Sequence, residues 1–147
     1  IGIHNATYEK GTNPAGITIY RLDPNQQYLV QGSSLGEVIQ GSVYSNLIRP
    51  GGGVDVIIAG PNNNEIQDIT SKLNGITVTN FHSGDILNFT DLDPNGTTAQ
   101  YAAATGILSV SNNRQQVATI TTPGLNANAQ FLVTSNPGGG SNISLSP

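Results

Sequence analysis

Cysteine, methionine and tryptophan are missing altogether from the 147 residues. Without cysteine no disulfide can brace the fold, so whatever order the chain has must come from packing and hydrogen bonds. Without methionine even at position 1, the opening Ile1-Gly2-Ile3-His4 reads as a processed mature form or an excised fragment. The composition is rich in Asn, Thr and Gly and poor in Lys, which points to export with the signal segment removed. Charge is scarce too: only 10% of residues are Asp, Glu, Lys or Arg, and the net charge is −4. The five cations, Lys10, Arg21, Arg49, Lys72 and Arg114, are scattered, so no phosphate-binding surface forms and no nucleic-acid partner is expected. No apolar run approaches the roughly eighteen residues of a membrane helix, and no polybasic anchor occurs. With three Phe and five Tyr there is little aromatic surface for a sugar platform, so the carboxylates do not point to a glycosidase.

Hydrophobic content is 36%, low for a globular domain, but the low charge argues against disorder, which normally pairs weak hydrophobicity with high charge. Period-two runs dominate: Ile17–Tyr20, Tyr28–Val30, Val54–Ile58, Ile76–Phe81, Ile86–Phe89, Ile107–Val110, Gln116–Ile120 and Phe131–Thr134 all read as strands. Gly, Pro, Asn or Asp separates nearly every pair, and Ser111-Asn112-Asn113-Arg114 reads as a hairpin loop. The expected fold is all-β, a sandwich or paired antiparallel sheets of many short strands. Between Gln31 and Gly60 the turns recur every nine or ten residues, as in the coils of a β-solenoid, but an antiparallel meander fits equally and is preferred. One segment departs from period two. In residues 62–75 Ile66, Ile69 and Leu73 fall at helical spacing, Asn62 and Glu65 could form a capping box, and Gly75 suits the stop. A single short helix is expected there. The string Leu-Asp-Pro-Asn recurs at 22–25 and 92–95, hinting at related halves, 17–75 and 76–135, within a β domain over 17–135.

Few residues look able to do chemistry. Asp91-Leu92-Asp93-Pro94-Asn95-Gly96 begins like a calcium loop, with Asp91, Asp93 and Asn95 at the first three ligand positions. Position twelve is Ala102, so an EF-hand is excluded. What is left is a plain turn or a looser calcium site completed by Asp85, and otherwise no cofactor is expected. Pro50–Gly60 carries one degenerate copy of the Gly-Gly-x-Gly-x-Asp calcium-roll repeat, with Val54 in place of the last glycine. A lone copy has no partner to share an ion with and is expected to bind nothing. Gly32-Ser33-Ser34-Leu35-Gly36 matches the nucleophile elbow of hydrolases only formally, because the residues after Ser34 are strand-like and not helical. His4 and His82 are the only histidines, too few for a zinc site. No catalytic residue is nominated and no enzymatic activity is expected.

Residues 81–92, "FHSGDILNFTDL", lead to "AQY" (99–101), "GILSVSNN" (106–113), "QQVATITTPGL" (115–125) and "FLVTSNPGGGSNISL" (131–145). This half resembles the non-catalytic β modules of large secreted bacterial surface proteins and adhesins. Such modules run G-D-x-hydrophobic-x-[FL]-T-D-L, then G-x-L-x-V, A-x-I and F-x-V-x-S before a Gly-rich turn. The resemblance covers about 65 residues and implies an extracellular, calcium-rich setting and a display role. The two tails add a second signal. Residues 136–147 are a Gly/Ser tether ending in alternating Ile143 and Leu145; residues 1–16 place Ile1, Ile3 and Tyr8 ahead of a turn-rich linker. A short alternating strand on a loose leash suits addition to another sheet's edge. The expectation is therefore a secreted structural protein, subunit of an extracellular filament or surface layer, polymerising with copies of itself by strand exchange. The alternative is a monomeric adhesin-type binding module, stabilised by calcium.

Overall fold

Val30, Ile39, Ile48, Ile57 and Ile66 recur every nine residues, and every one of them is fully buried. In the computed structural model that period is half a coil of a two-sheet β-solenoid. The structure describes residues 29–41, 43 and 45–147 in full, and before them the course of the strands Ile3–Asn5, Tyr8–Thr12 and Thr18–Leu22 and the start of the next strand. Ile1 and Asp23–Asn25, part of the first Leu-Asp-Pro-Asn string, lie outside the described residues.

Strands β1 (Ile3–Asn5) and β2 (Tyr8–Thr12) lead into the coils. From there the chain alternates between sheets: β3 (Thr18–Leu22), β4 (Gln27–Gln31), β5 (Glu37–Gln40), β6 (Leu47–Arg49), β7 (Val56–Ile58), β8 (Glu65–Asp68), β9 (Thr77–Thr79) and β10 (Ile86–Phe89). The first sheet has the order β1-β4-β6-β8-β10-β15-β14 and the second β11-β12-β13-β9-β7-β5-β3-β2, where β11 is Thr97–Ala102, β12 Ile107–Asn112, β13 Gln115–Thr121, β14 Phe131–Ser135 and β15 Ser141–Leu145. Each strand from β5 to β10 pairs in parallel with the strand one coil earlier. The all-β, two-sheet expectation holds; the antiparallel meander expected for the first half does not, because there the chain coils. After β10 it does meander: β11, β12 and β13 are antiparallel neighbours, and β15 closes antiparallel on β10.

Parallel strands in register place identical positions of successive coils above one another. Val30, Ile48, Ile66, Leu87 and Ile143 form one ladder in the first sheet, and Ile39, Ile57 and Val78 another in the second. All eight are 0% exposed. Burying such a side chain contributes about 1.5–3 kcal/mol, so the ladders are the main source of cohesion in a chain without disulfides.

The helix expected over 62–75 shrinks to one turn, α1 (Thr70–Leu73). Glu65–Asp68 is strand β8, held by β6 on one side and β10 on the other, because Ile66 is a rung of the ladder. The capping residues are used elsewhere: the Asn62 amide donates to the Val43 carbonyl, and the Glu65 carboxylate accepts from the Asn88 amide at 2.8 Å. Gly75 does take the left-handed conformation, φ +89°. The hairpin loop is a two-residue turn at Asn113 (φ 51°) and Arg114 (φ 68°), the mirror-image geometry that matches strand twist.

Candidate functional site

The C-terminal strand expected to be lent to a neighbour is held at home. Ile143 is the last rung of the first-sheet ladder, Leu145 packs against the core, and β15 is paired with β10 on one side and β14 on the other. Donating it to a neighbour would mean withdrawing a strand bonded on both sides. At the N-terminal end, Ile3 lies in β1, parallel to β4, and Tyr8 lies in β2, opposite Leu22 of β3.

What the fold offers instead is edges. Among the described residues the first sheet ends in β1 and β14, and the second in β2 and β11. At β14 the bonds from Ser146 N–H to Gln130 O (2.8 Å) and from Asn136 N–H to Gly140 O (3.0 Å) fix which residues face β15. By the antiparallel alternation the backbone groups of Phe131, Val133 and Ser135 then point outwards from the sheet. At β11 the bond from Asn113 N–H to Gly96 O (2.9 Å) sets Thr97, Ala99 and Tyr101 outwards in the same way. Neither edge strand carries a charge or a proline, the usual guards against edge-to-edge pairing, and Leu132 on β14 is 45% exposed. Phe131 links the two edges, with ring centroids 6.0 Å from Tyr101 and 5.8 Å from Phe81.

The acidic turn at 91–96 resolves into separate duties. Asp91 Oδ1 accepts from the backbone N–H (2.8 Å) and hydroxyl (2.7 Å) of Thr70, and so caps α1 from the neighbouring coil. Asp93 Oδ1 accepts from Asn95 N–H at 2.9 Å, making the tight turn that the sequence spells. Asp85 is fully buried, and its oxygens are taken by Asn64 N–H and by His82 N–H and Nδ1. Asp85 and Asp91 thus bond to different parts of the chain, and Asp93 bonds to Asn95 N–H within the turn. Among the described residues no three His, Cys, Asp or Glu side chains gather as an ion site. Asp91→Ala is expected to lower stability by about 1 kcal/mol through the lost cap, seen as a small drop in melting temperature by circular dichroism.

The side chains that the motif reading missed lie two residues before the ladder rungs. Glu37, Asn46, Asp55 and Asn64 recur every nine residues, and all are at most 3% exposed. They face inwards at the coil corners and form two polar spines. In one, Asn46 takes an amide bond to Asn64 (3.1 Å), and Asn64 in turn donates its backbone N–H (2.8 Å) and amide (3.1 Å) to Asp85. Burial raises the Asp85 pKa, against the lowering effect of the donors from Asn64 and His82. In the other, Glu37 N–H donates to Asp55 Oδ1 at 2.8 Å, while Glu37 Oε1 accepts from Ser33 N–H (2.8 Å) and the Ser33 hydroxyl. Burial pushes Asp55 up to about 7; the bond from Glu37 N–H opposes this and the Glu37 carboxyl adds to it. The nine-residue spacing of these polar residues was the available signal. Pro50–Gly60 keeps no second copy of its repeat in sequence, but a turn stacks on it in space: Gly32–Gly36 lies directly on Gly51–Val54, with a Cβ on Gly36 only 2.8 Å from Val54 O. Ser34, in that first turn, is exposed and is followed by strand β5, not a helix.

Two grooves flank the 122–130 connection. One, of about 550 Å³, is lined by Ser83, Leu125, Asn128, Gln130, Leu145 and Pro147; the other, of about 670 Å³, by Gln100, Tyr101, Asn128 and Phe131 among others. Among the described residues no acidic or basic side chain lines either one. No known protein family, curated protein or solved structure matches the chain.

Proposed function

We propose that the protein is a non-catalytic structural unit of an extracellular filament or surface layer, joined to copies of itself by sheet edges. The observation that carries this reading is that both sheets end together at each end of the coil stack, and the described ends at β11 and β14 are uncharged strands with outward backbone groups. Docking those edges on β1 and β2 of the next copy would extend both sheets at once. Such a head-to-tail contact does not close on itself, so it propagates as a filament. Main-chain pairing supplies affinity, and alternating side chains supply register. The resemblance of residues 81–145 to surface-protein modules and the Asn/Thr/Gly-rich, Lys-poor composition support the extracellular setting.

Val133→Pro tests this reading. It removes an outward N–H without touching the bonds between β14 and β15, so the fold should persist while assembly is lost. Sedimentation velocity and negative-stain micrographs should show ordered assemblies for the natural chain and monomers for the variant. A natural chain that stays monomeric at high concentration rejects the polymer. The grooves beside residues 122–130 would then favour the adhesin-type binding module.

A further inference from the structure

The Glu37–Asp55 pair is an unbalanced piece of chemistry. Both residues are carboxylic acids, 1% and 0% exposed, on adjacent coils of the same sheet. One oxygen of each is satisfied, Glu37 Oε1 by Ser33 and Asp55 Oδ1 by Glu37 N–H. The other two, Glu37 Oε2 and Asp55 Oδ2, are buried and among the described residues have no donor beyond each other's carboxyl. Buried acceptors without a partner are costly, and two neighbouring carboxylates without a counter-charge more so. Among the described residues no cation answers them. Arg49 directs its Nε to Gln67 at 2.8 Å, and Lys72, whose stem passes Gly52, is exposed and in no ion pair. A third acid, Asp68, repels Asp55 and ties its Oδ2 to Gly51 N–H at 3.0 Å, on the same stacked turns.

The surroundings of the pair are oxygen-lined. A Cβ on Gly32 would meet the Pro50 carbonyl at 2.1 Å and Glu37 Oε2 at 3.1 Å. A Cβ on Gly51 would meet the Ser33 carbonyl at 2.6 Å and the Gly32 carbonyl at 2.7 Å. At Gly32 a backbone carbonyl and a free carboxylate oxygen thus lie close together, and at Gly51 two further carbonyls of the stacked turn approach. Hard divalent cations choose this donor set, and calcium tolerates its irregular geometry, where magnesium demands a near-ideal octahedron.

We propose that the niche between the stacked turns 32–37 and 50–55 binds a calcium-sized divalent cation through Glu37 Oε2 and Asp55 Oδ2, with carbonyl oxygens of the glycine turns and water completing the shell. The ion pins one coil to the next and supplies the positive charge that the described residues lack there. It is a different place from the acidic turn at 91–96, where Asp91 Oδ1 caps α1 and Asp93 Oδ1 holds the turn.

The test uses the full chain, stripped with EDTA and then given calcium chloride or magnesium chloride at pH 8, above the value of about 7 to which burial raises Asp55. Saturating calcium is expected to raise the melting temperature by roughly 5 °C, with a smaller rise for magnesium. Glu37→Gln and Asp55→Asn should each abolish the calcium rise, while Asp91→Ala keeps it. The two variants remove a buried charge, so both should fold without metal, and calorimetric titration with calcium gives a second readout on each. A natural chain whose melting temperature ignores calcium at pH 8, but rises on acidification, would mean that a shared proton alone joins the pair, and would overturn the proposal. An undiminished calcium rise in both variants would put the ion elsewhere and overturn it as well.

Discussion

Gly53→Ala is expected to destabilise the protein by roughly 2–6 kcal/mol, against about 1–2 kcal/mol for Gly75→Ala. Both glycines have left-handed backbones, φ +87° and +89°, so an alanine at either carries similar strain. They differ in what the new methyl group meets. At Gly75 there is nothing within 4 Å, whereas at Gly53 the Cβ would lie 2.6 Å from Leu35 C, 2.7 Å from Leu35 O and 2.8 Å from Gly36 N. Those are backbone atoms of the previous coil and cannot swing aside. Relief requires the turns to part, which would open the register of β5 on β7 and loosen Ile39 on Ile57. For a chain of this length each kcal/mol is about 2–4 °C in melting temperature, so thermal melts separate the two variants easily. Equal losses at the two sites would mean that the coils do not approach as closely as the stacked turns require.

The same stacked turns show what was legible in the sequence. Strand existence was plain from period-two runs, because alternation reports an inward and an outward face whichever direction the neighbour runs. Parallel against antiparallel pairing leaves no mark on that alternation. It is written at longer range, in the nine-residue recurrence of Val30, Ile39, Ile48, Ile57 and Ile66 and in the offset polar series Glu37, Asn46, Asp55, Asn64. A meander has no reason to keep so constant a period, and a coil does, since each rung must land on the last. The period breaks after Ile66, where α1 lengthens the coil: Ile57 pairs with Val78 and Ile66 with Leu87, each 21 residues on. That break is what made residues 62–75 look helical throughout. Ile66 belongs to a strand and Leu73 to the inserted turn, and their spacing mixes two elements. The tails carry a related ambiguity. Alternating apolar residues after a glycine tether suit a lent strand and a home strand equally, and nothing in the tail itself marks the place beside β10 that β15 takes.

Metal-free protein is expected to lose stability as pH rises from about 4 to about 7, and Asp55→Asn to remove most of that loss. In the unfolded chain Asp55 titrates near the ordinary 3.8, and in the folded chain at about 7. Between those values the unfolded chain has released the proton and the folded chain still holds it. The folded state therefore binds more protons, and stability falls with rising pH across that window, levelling off on either side. The full shift corresponds to a loss on the order of several kcal/mol. Burial is the main cause of the shift; the Glu37 carboxyl beside Asp55 adds to it and the Glu37 N–H opposes it. Asparagine at 55 keeps an oxygen for Glu37 N–H and offers an amide donor towards the unpartnered Glu37 Oε2. Denaturant titrations in EDTA should find the variant close to the natural chain at pH 4 and clearly more stable at pH 8. A residual slope of the same sign should persist in the variant, because buried Asp85 is also raised above its ordinary value. Two stability–pH curves running parallel from pH 4 to 8 would show that Asp55 ionises in the folded chain as easily as in water, and that the stacked acids are not buried against each other.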